Sequence, residues 1–301
     1  MAPVMTTPAP QPTAPSADSQ LHAVQSYYNE TWLDYRMMWL NRTNRAIHFG
    51  YWDEDTRNHS ESLLNTNRVL ADLAKLEPGE LALDAGCGVG GTAMFLARHH
   101  GVRVMGVTVV ADQAQRAYRY SSERGLTGLE FSLQDYMQTA FRPGTFDVAY
   151  SMEASNYATS KRDWLAEMYR VLKPGGRLVV QDGFRASRQL TEEEDRLQRS
   201  WLDGWAVPHL AALDEFAAWA GEVGFADVVA EDRSVNFAPS CRRLYRLTMA
   251  CYPIAKLLHT LNVRSDVQHG NVRAARDQWR AMRRHLWLYG IVTARKPGAP
   301  A

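Results

Sequence analysis

The sequence predicts an α/β protein built on a doubly wound, mostly parallel sheet of seven strands. A glycine-rich turn at 86–91 joins a short apolar strand at 80–83 to a helix at 92–100. Strands and helices then alternate as far as Asp182, which is the pattern of a parallel sheet covered by helices on both faces. Beyond that point the alternation breaks. The segment 236–284 has no strand signature, and we predict that it forms an inserted helical lid.

Length and composition favour one large domain with a substantial core, since the chain has 301 residues of which 46% are hydrophobic. A formal net charge of +1 gives no argument for a nucleic-acid partner. No run of about 18 apolar residues exists, so no transmembrane segment is expected. Cys87, Cys241 and Cys251 form neither a C-x-x-C pair nor an even disulfide set. They predict a reducing, cytoplasmic location and no metal site.

The N-terminal region divides into two predicted parts. Residues 1–19 are rich in Pro, Ala, Thr and Ser and predict a disordered tail rather than a signal peptide. Residues 20–76 predict a helical cap with many aromatic side chains. Within that cap, His48-Phe49-Gly50-Tyr51-Trp52 and the acidic residues after it form a loop rather than a helix face. This loop either covers a bound cofactor or packs into the core.

The glycine turn indicates a ligand with an anionic group. Glycines allow positive φ and a close approach of the ligand to the main chain. The free N–H groups at the start of the next helix favour a phosphate or the carboxylate of an amino-acid-like cofactor. Two patterns overlap, since Gly86 and Gly88 are followed by both Gly90 and Gly91. The motif alone therefore leaves the cofactor open.

A nicotinamide dinucleotide fits the rest of the sequence less well. Its fingerprint requires an acidic residue at the end of the second strand, to bind the ribose hydroxyls. The predicted second strand, 102–107, runs instead into Thr108, and Asp112 falls inside the following helix. An NAD-dependent oxidoreductase remains as an alternative.

Polar residues follow the predicted strands where each strand ends. The carboxyl ends of parallel strands meet in one crevice near the point where the strand order reverses. The third strand, 129–133, is followed by Gln134-Asp135-Tyr136, and the fourth, 145–150, leads into Ser151-Met152-Glu153. We therefore expect four side chains to approach this crevice. They are Asp84, Thr108, Asp135 and Glu153.

The remaining elements complete a core over 77–185 and a C-terminal part, 186–301, that carries the lid at about 236–285. They are helices over 112–124, 161–172, 191–202 and 213–223 and strands over 177–182, 227–230 and 287–294. The lid carries ten basic residues against Asp266 and Asp277. The basic residues are Arg242, Arg243, Arg246, Lys256, Arg264, Arg273, Arg276, Arg280, Arg283 and Arg284. They form a solvated helix face, or they bind an anionic substrate or a membrane surface.

Several motifs in order resemble the class I S-adenosylmethionine-dependent methyltransferases. These motifs are Asp84-Ala85-Gly86-Cys87-Gly88-Val89-Gly90, the strand-end Asp135, Phe146-Asp147 and Leu172-Lys173-Pro174-Gly175-Gly176. The resemblance covers roughly 76–182 and, more loosely, 21–76. It implies a Rossmann-like methyltransferase fold and S-adenosyl-L-methionine as the cofactor.

Within that class, Gly106-Val107-Thr108 with Gln113 is similar to a segment of the tocopherol, sterol, mycolic-acid cyclopropane and prenyl diphosphate C-methyltransferases. The resemblance implies that Thr108 and Gln113 replace the acidic residue missing after the second strand, although Val110 stands where the family often has Ser. The loop 48–52 is similar to the aromatic segment that these enzymes fold over the cofactor. Glu153 corresponds to their strand-end Glu.

The predicted site has three groups of residues. The cofactor-binding residues are Tyr28, His48, Asp84, Gly86, Gly88, Thr108, Gln113, Gln134, Asp135 and Tyr136. The substrate-pocket residues are Met152, Trp205, His209 and Tyr245. Glu153 is the predicted catalytic residue, and its alternative role is to cap the following helix.

The predicted function is methyl transfer from S-adenosyl-L-methionine to a small, largely apolar acceptor. C-methylation of an isoprenoid or aromatic natural product in secondary metabolism is favoured, and a diphosphate-bearing acceptor stays open because the lid is basic. N- or O-methylation of a small amine or phenol is the first alternative. A cofactor-binding protein without catalysis is the other.

Overall fold

The computed structural model of the protein describes residues 15–38 and 44–298. Seven strands form one sheet in the order β3-β2-β1-β4-β5-β7-β6. They are β1 (Leu81–Ala85), β2 (Arg103–Thr108), β3 (Leu129–Leu133), β4 (Phe146–Met152), β5 (Leu172–Arg185), β6 (Ala226–Asp232) and β7 (Trp287–Arg295). The pairs among β1 to β5 are parallel, whereas β7 runs antiparallel to both β5 and β6. The predicted doubly wound, mostly parallel seven-stranded sheet is confirmed.

Helices cover both faces of this sheet, and the first helix lies over the carboxyl ends of its strands. They are α1 (Ala17–Met38), α2 (His59–Ala74), α3 (Gly91–His100), α4 (Ala111–Ser122), α5 (Lys161–Val171), α6 (Glu192–Gly204), α7 (Leu213–Val223), α8 (Ser234–Thr260) and α9 (Asp266–Arg283). Capping side chains stabilise the first turn of several of these helices. The side chains of Asn58, Ser160, Thr191 and Ser265 each accept a hydrogen bond from a backbone N–H of the first turn.

The first helix begins earlier than the sequence predicted. Helix α1 starts at Ala17, inside the segment 1–19 that we expected to be a disordered tail, so the boundary of the cap lies near residue 17. Residues 1–14 of that tail lie outside the described residues. The Gln20 amide donates to the carbonyl of Ala206 over 2.8 Å. This contact is distant in sequence, and composition gives no sign of it.

Two hydrophobic clusters lie on opposite faces of the sheet. Strand side chains alternate between the faces, so Ala82 belongs to one cluster and Leu83 to the other. The first cluster includes Trp201 and Trp287, and the second is built around the fully buried Trp164 of α5. Burial on both faces explains why these strands have apolar sequences without polar alternation.

The strand order reverses between β1 and β4, and this position defines the site. Strand β1 pairs with β2 on one side and with β4 on the other. The connection after β1 leads to α3 and the connection after β4 leads to α5. The two loops therefore leave the sheet in opposite directions and open a crevice at the carboxyl ends of the strands.

Helices α8 and α9 occupy the segment predicted to be a lid. They pack on each other, and α9 also packs on α6. The Trp287 indole N–H donates to the carbonyl of Gln278 over 2.8 Å, which fixes α9 to β7. The Asn236 amide donates to the Trp52 carbonyl over 2.8 Å, which fixes α8 to the aromatic loop of the cap.

Candidate active site

The crevice contains a cavity around the glycine turn, called here the glycine-turn cavity. The wall includes the turn itself, the cap and the ends of β1, β2 and β4. Nine of the ten predicted cofactor-binding residues line it: Tyr28, His48, Asp84, Gly86, Gly88, Thr108, Gln113, Asp135 and Tyr136. The tenth, Gln134, does not. Its amide donates to Ser132 and accepts from the Ala140 N–H, so it holds the local loop.

Only glycine fits at two positions of the turn. Gly86 has φ +103°, and a Cβ built there would lie 2.3 Å from the Ala154 Cβ. Gly88 has φ +51°, and its Cβ would lie 2.5 Å from Ile47 Cδ1. Positive φ is unfavourable for a side chain at both positions, and at Gly86 the Ala154 Cβ leaves no room for one. The main chain itself therefore forms the floor of the cavity.

Polar side chains at the strand ends are held in fixed positions. Thr108 Oγ1 donates to Gln113 Oε1 over 2.8 Å and accepts from the Val110 N–H over 3.2 Å. Asp135 Oδ1 accepts from the Met137 N–H over 2.8 Å. Burial raises the pKa of Asp84 to about 7. All four side chains that we expected at the crevice, Asp84, Thr108, Asp135 and Glu153, therefore line one cavity.

The aromatic loop of the cap both covers this cavity and packs into the core. His48 lines the cavity, and its Nδ1 lies 2.8 Å from the Phe49 carbonyl oxygen. Burial lowers the pKa of His48 to about 4, so the imidazole is neutral at physiological pH. Phe49 belongs to the core, with its ring 6.3 Å from that of Trp205. The loop was predicted either to cover a bound cofactor or to pack into the core, and this position is compatible with both roles.

A second cavity, called here the aromatic cavity, lies between the cap, β7 and the lid. Seven tryptophan and tyrosine rings line it together with Phe49: Tyr28, Tyr35, Tyr157, Trp201, Trp205, Trp287 and Tyr289. The lid contributes Leu244, Thr248, Cys251 and Ala255 from one face of α8 and Asn271 and Ala275 from α9. Among the described residues, Arg264 is the one lysine or arginine that lines this cavity, and it pairs with Asp34 over 2.7 Å.

The structure corrects three of the four predicted substrate-pocket residues. Trp205 lines the aromatic cavity, but Met152 lines the glycine-turn cavity. Tyr245 follows Leu244 on α8 and therefore faces an outer groove with Arg280. His209 contributes to neither cavity, and its carbonyl accepts from Lys161 Nζ over 3.0 Å.

The two cavities share one wall, formed by Tyr28, Ile47, Glu153 and Tyr157. The Tyr28 hydroxyl donates to the Tyr157 hydroxyl over 3.1 Å. A ligand in the glycine-turn cavity therefore lies next to a ligand in the aromatic cavity at these side chains. This wall is the place where a group would pass from one ligand to the other.

Glu153 has the geometry of a functional residue. Its Oε1 accepts from the Phe49 N–H over 2.7 Å and from the Tyr289 hydroxyl over 2.8 Å. Its backbone is in the left-handed region at φ 54°, which is unfavourable for a glutamate and tends to persist at functional sites. Burial raises the pKa of Glu153 to about 8. The alternative helix-capping role is wrong, because Ser160 caps α5.

A second buried carboxylate, Asp182, was not predicted. It lines the aromatic cavity at the end of the parallel part of β5, and it accepts from Ser155 Oγ over 2.7 Å and from the Gly183 N–H over 2.8 Å. Burial raises its pKa to about 6. The strand-end rule that selected Glu153 also applies to Asp182.

Among the described residues, no group of three or more His, Cys, Asp and Glu is placed to hold a metal.

We predict that Glu153→Gln stabilises the protein at high pH. The pKa of Glu153 is near 4.5 when unfolded and about 8 when folded. Its contribution to stability is therefore complete below pH 4.5 and is lost as the pH rises towards 8. A neutral glutamine still accepts both hydrogen bonds and has no such dependence. Calorimetry at pH 5 and at pH 8.5 gives the Tm of the variant minus the Tm of the wild type. This difference should be larger at pH 8.5, by roughly 2–4 °C for each kcal/mol of destabilisation that the substitution removes. An equal difference at both pH values contradicts this.

Comparisons with known proteins agree with the fold. A family model described as a methyltransferase domain matches residues 83–180. A 24-methylenesterol C-methyltransferase of Oryza sativa subsp. japonica is 32% identical over 216 residues, which cover 71% of this chain and 58% of the relative. An S-adenosyl-L-methionine-dependent Diels-Alderase of Talaromyces variabilis is 28% identical over 297 residues, covering 94% and 97%. The structure of a cyclopropane synthase of Mycobacterium tuberculosis matches with TM-score 0.79 and 16% identity, covering 95% and 100%.

The strand order, the glycine turn after β1 and these similarities are those of the class I S-adenosylmethionine-dependent methyltransferases, and residues 83–180 match the methyltransferase domain. The sequence is similar to the sterol C-methyltransferases, the group to which the motif of Thr108 and Gln113 pointed. The cofactor of the class is S-adenosyl-L-methionine. The chain spans 58% of the length of the sterol enzyme.

Proposed function

We propose that this protein transfers a methyl group from S-adenosyl-L-methionine to a carbon atom of a small apolar acceptor. The shared wall with Glu153 is the observation that carries the proposal, since it joins a cavity suited to the cofactor to one suited to an apolar ligand. Two further proposals are less direct. We infer a role in secondary metabolism from the acceptor class, and a cytoplasmic location from the three free cysteines.

The residues of the glycine-turn cavity fit this cofactor. Gly88 brings the main chain of the turn close to the place where a carboxylate would lie at the start of α3, while the Gly86 N–H holds the turn by donating to the Val107 carbonyl over 3.1 Å. Thr108 and Gln113 would lie near the ribose and Asp135 near the adenine. When bound, the cofactor supplies a methyl group already activated on a sulfonium sulfur. The protein then mainly has to orient the acceptor and exclude water, and such positioning is worth about 7–11 kcal/mol.

Glu153 is the proposed general base. Methylation of an alkene or ring carbon would form a C–C bond as the S–CH3 bond breaks, releasing S-adenosylhomocysteine and leaving a cation on the acceptor. An alkene-derived cation would lose a proton from a neighbouring carbon, and an aromatic ring would lose it from the methylated carbon. The ionised Glu153 carboxylate would stabilise that cation and then take the proton. Because Phe49 and Tyr289 hold one carboxylate oxygen, the group is fixed at the shared wall.

The lining of the aromatic cavity favours an apolar acceptor without a diphosphate. Seven tryptophan and tyrosine rings and Phe49 line it, and Arg264 is already paired with Asp34. The relative from Oryza sativa is a sterol C-methyltransferase, which supports an isoprenoid acceptor. With an amine or phenol acceptor, Glu153 would accept the proton of the nitrogen or oxygen instead.

A second candidate function is cyclisation of a polyene. The relative that matches almost the whole chain, with 97% of its own length covered, is named a Diels-Alderase. An enclosed aromatic cavity would hold a flexible substrate in a folded conformation. In that case the cofactor would support the structure and would not be consumed.

Two measurements test the proposed function. Calorimetric titration should show binding of S-adenosylhomocysteine and none of NAD, whereas tight NAD binding alone would make the protein an oxidoreductase. A methyl-labelled cofactor should then label a sterol or prenylated aromatic acceptor. Product that forms without label, and equally well with S-adenosylhomocysteine, would show cyclisation. Cofactor binding without any product from these pools or from amines and phenols would leave a non-catalytic protein.

A further inference from the structure

An exposed apolar surface lies beside the aromatic cavity, on α8 and the end of α1. Ile254, Leu257 and Leu261 follow one another at helical spacing and are 64%, 58% and 61% exposed. Val263 in the next turn and Met37 at the end of α1 are 67% and 65% exposed. These five residues are called here the apolar patch. Single exposed apolar residues are common, but a group of this kind marks an interaction surface.

The apolar patch is continuous with the cavity. A different face of α8, consisting of Leu244, Thr248, Cys251 and Ala255, lines the aromatic cavity. Met37 belongs to both, since it lines that cavity and is largely exposed. An apolar molecule that lies on the patch is therefore next to the proposed acceptor site.

The charge of α8 indicates what covers the patch. The helix spans 27 residues, contains no Asp or Glu, and carries four basic residues: Arg242, Arg243, Arg246 and Lys256. Within residues 15–38 and 44–298, none of the four forms a salt bridge. The charged side chains of α8 are therefore all cationic; the exposed Asp266, three residues after Val263, lies 2.9 Å from His259 of α8. A helix with exposed apolar side chains and cations suits an anionic lipid surface. In a two-fold dimer the same patch would meet itself and oppose these like charges.

We propose that the apolar patch docks on an anionic lipid surface, from which an apolar acceptor enters the aromatic cavity. The docking itself is independent of methyl transfer, and only the delivery of the acceptor rests on the proposed function. The described residues contain no helix long and apolar enough to cross a membrane. In the proposed contact, the apolar patch enters the boundary between headgroups and acyl chains, and the cations of α8 contact the headgroups.

Vesicle flotation of the full chain tests the docking. The probes are phosphatidylcholine vesicles with and without phosphatidylglycerol, at low and high salt. We expect binding to the anionic vesicles that is on the order of tenfold stronger than to the neutral ones and that weakens with salt. Ile254→Glu with Leu257→Glu should reduce it at least about tenfold, and Arg246→Gln with Lys256→Gln should remove the preference for anionic lipid. Val229→Glu, on exposed β6 far along the sheet, is the matched control and should bind as wild type.

Titration with S-adenosylhomocysteine on the same samples shows that each variant is folded. Absence of wild-type binding to either vesicle, or equal binding by the Ile254 and Leu257 variant, overturns the proposal. Light scattering could show that the wild type is a dimer and that the Ile254 and Leu257 variant is a monomer. This result would assign the apolar patch to contact with a second copy of the chain and would also overturn the proposal. Vesicle binding by a protein that transfers no methyl group would leave the docking in place and remove the proposed function.

Discussion

Glu153→Gln should lower turnover by at least about tenfold while leaving cofactor affinity unchanged. General-base assistance is typically worth about 10²–10⁴-fold, and glutamine keeps the shape and the two acceptor contacts of the glutamate without its basicity. The pKa of Glu153 is about 8, so the basic form increases as the pH rises through that value. Wild-type kcat should therefore rise with pH up to about 8, and the variant should lose that dependence.

Tyr289→Phe is a matched variant for the same prediction. The Tyr289 hydroxyl donates to the Glu153 carboxylate and lowers its pKa against the effect of burial. Removing it should shift the rise of kcat to higher pH without abolishing activity. Turnover by Glu153→Gln that equals the wild type, with an unchanged pH profile, would exclude the catalytic role. The glutamate would then be a structural residue that fixes Phe49.

Much of the fold and of the glycine-turn cavity could be predicted because the signals are local. Strand period, turn residues and caps set the elements, and parallel strands bring their carboxyl ends together by geometry alone. Asp84, Thr108 and Glu153 were therefore found from their positions after strands. Gln134 was not placed correctly, since it follows β3 as Asp135 does, and only the path of the loop decides which of the two faces the cavity.

The aromatic cavity was harder to predict because it depends on helix rotation and on a distant strand. Leu244 and Tyr245 are neighbours, but successive residues of a helix point about 100° apart, and nothing local shows which one faces inward. The antiparallel register places Tyr289 beside Gly183 and so behind Glu153. The alternation of Trp287, Tyr289 and Ile291 on one face of β7 was the available signal for that wall.

Gly86→Ala should weaken binding of S-adenosylhomocysteine by at least about 100-fold, and Gly79→Ala should leave it unchanged. Both glycines have positive φ, +103° and +87°, so each substitution incurs a similar backbone strain of roughly 1–2 kcal/mol. A Cβ at Gly79 meets nothing within 4 Å, whereas one at Gly86 lies 2.3 Å from the Ala154 Cβ.

The difference between the two variants isolates the close approach at the glycine turn. Relief of the Gly86 contact would push the turn and the loop after β4 apart, and that loop carries both Ala154 and Glu153. The displacement would move the main-chain N–H groups that we propose for the carboxylate, and a 100-fold loss corresponds to about 2.7 kcal/mol. Calorimetric titration of both variants measures the affinity, and thermal unfolding shows that each remains folded. Equal affinities would mean that the contact at Gly86 adds nothing to the strain that both glycines share. The cofactor would then not lie on this turn.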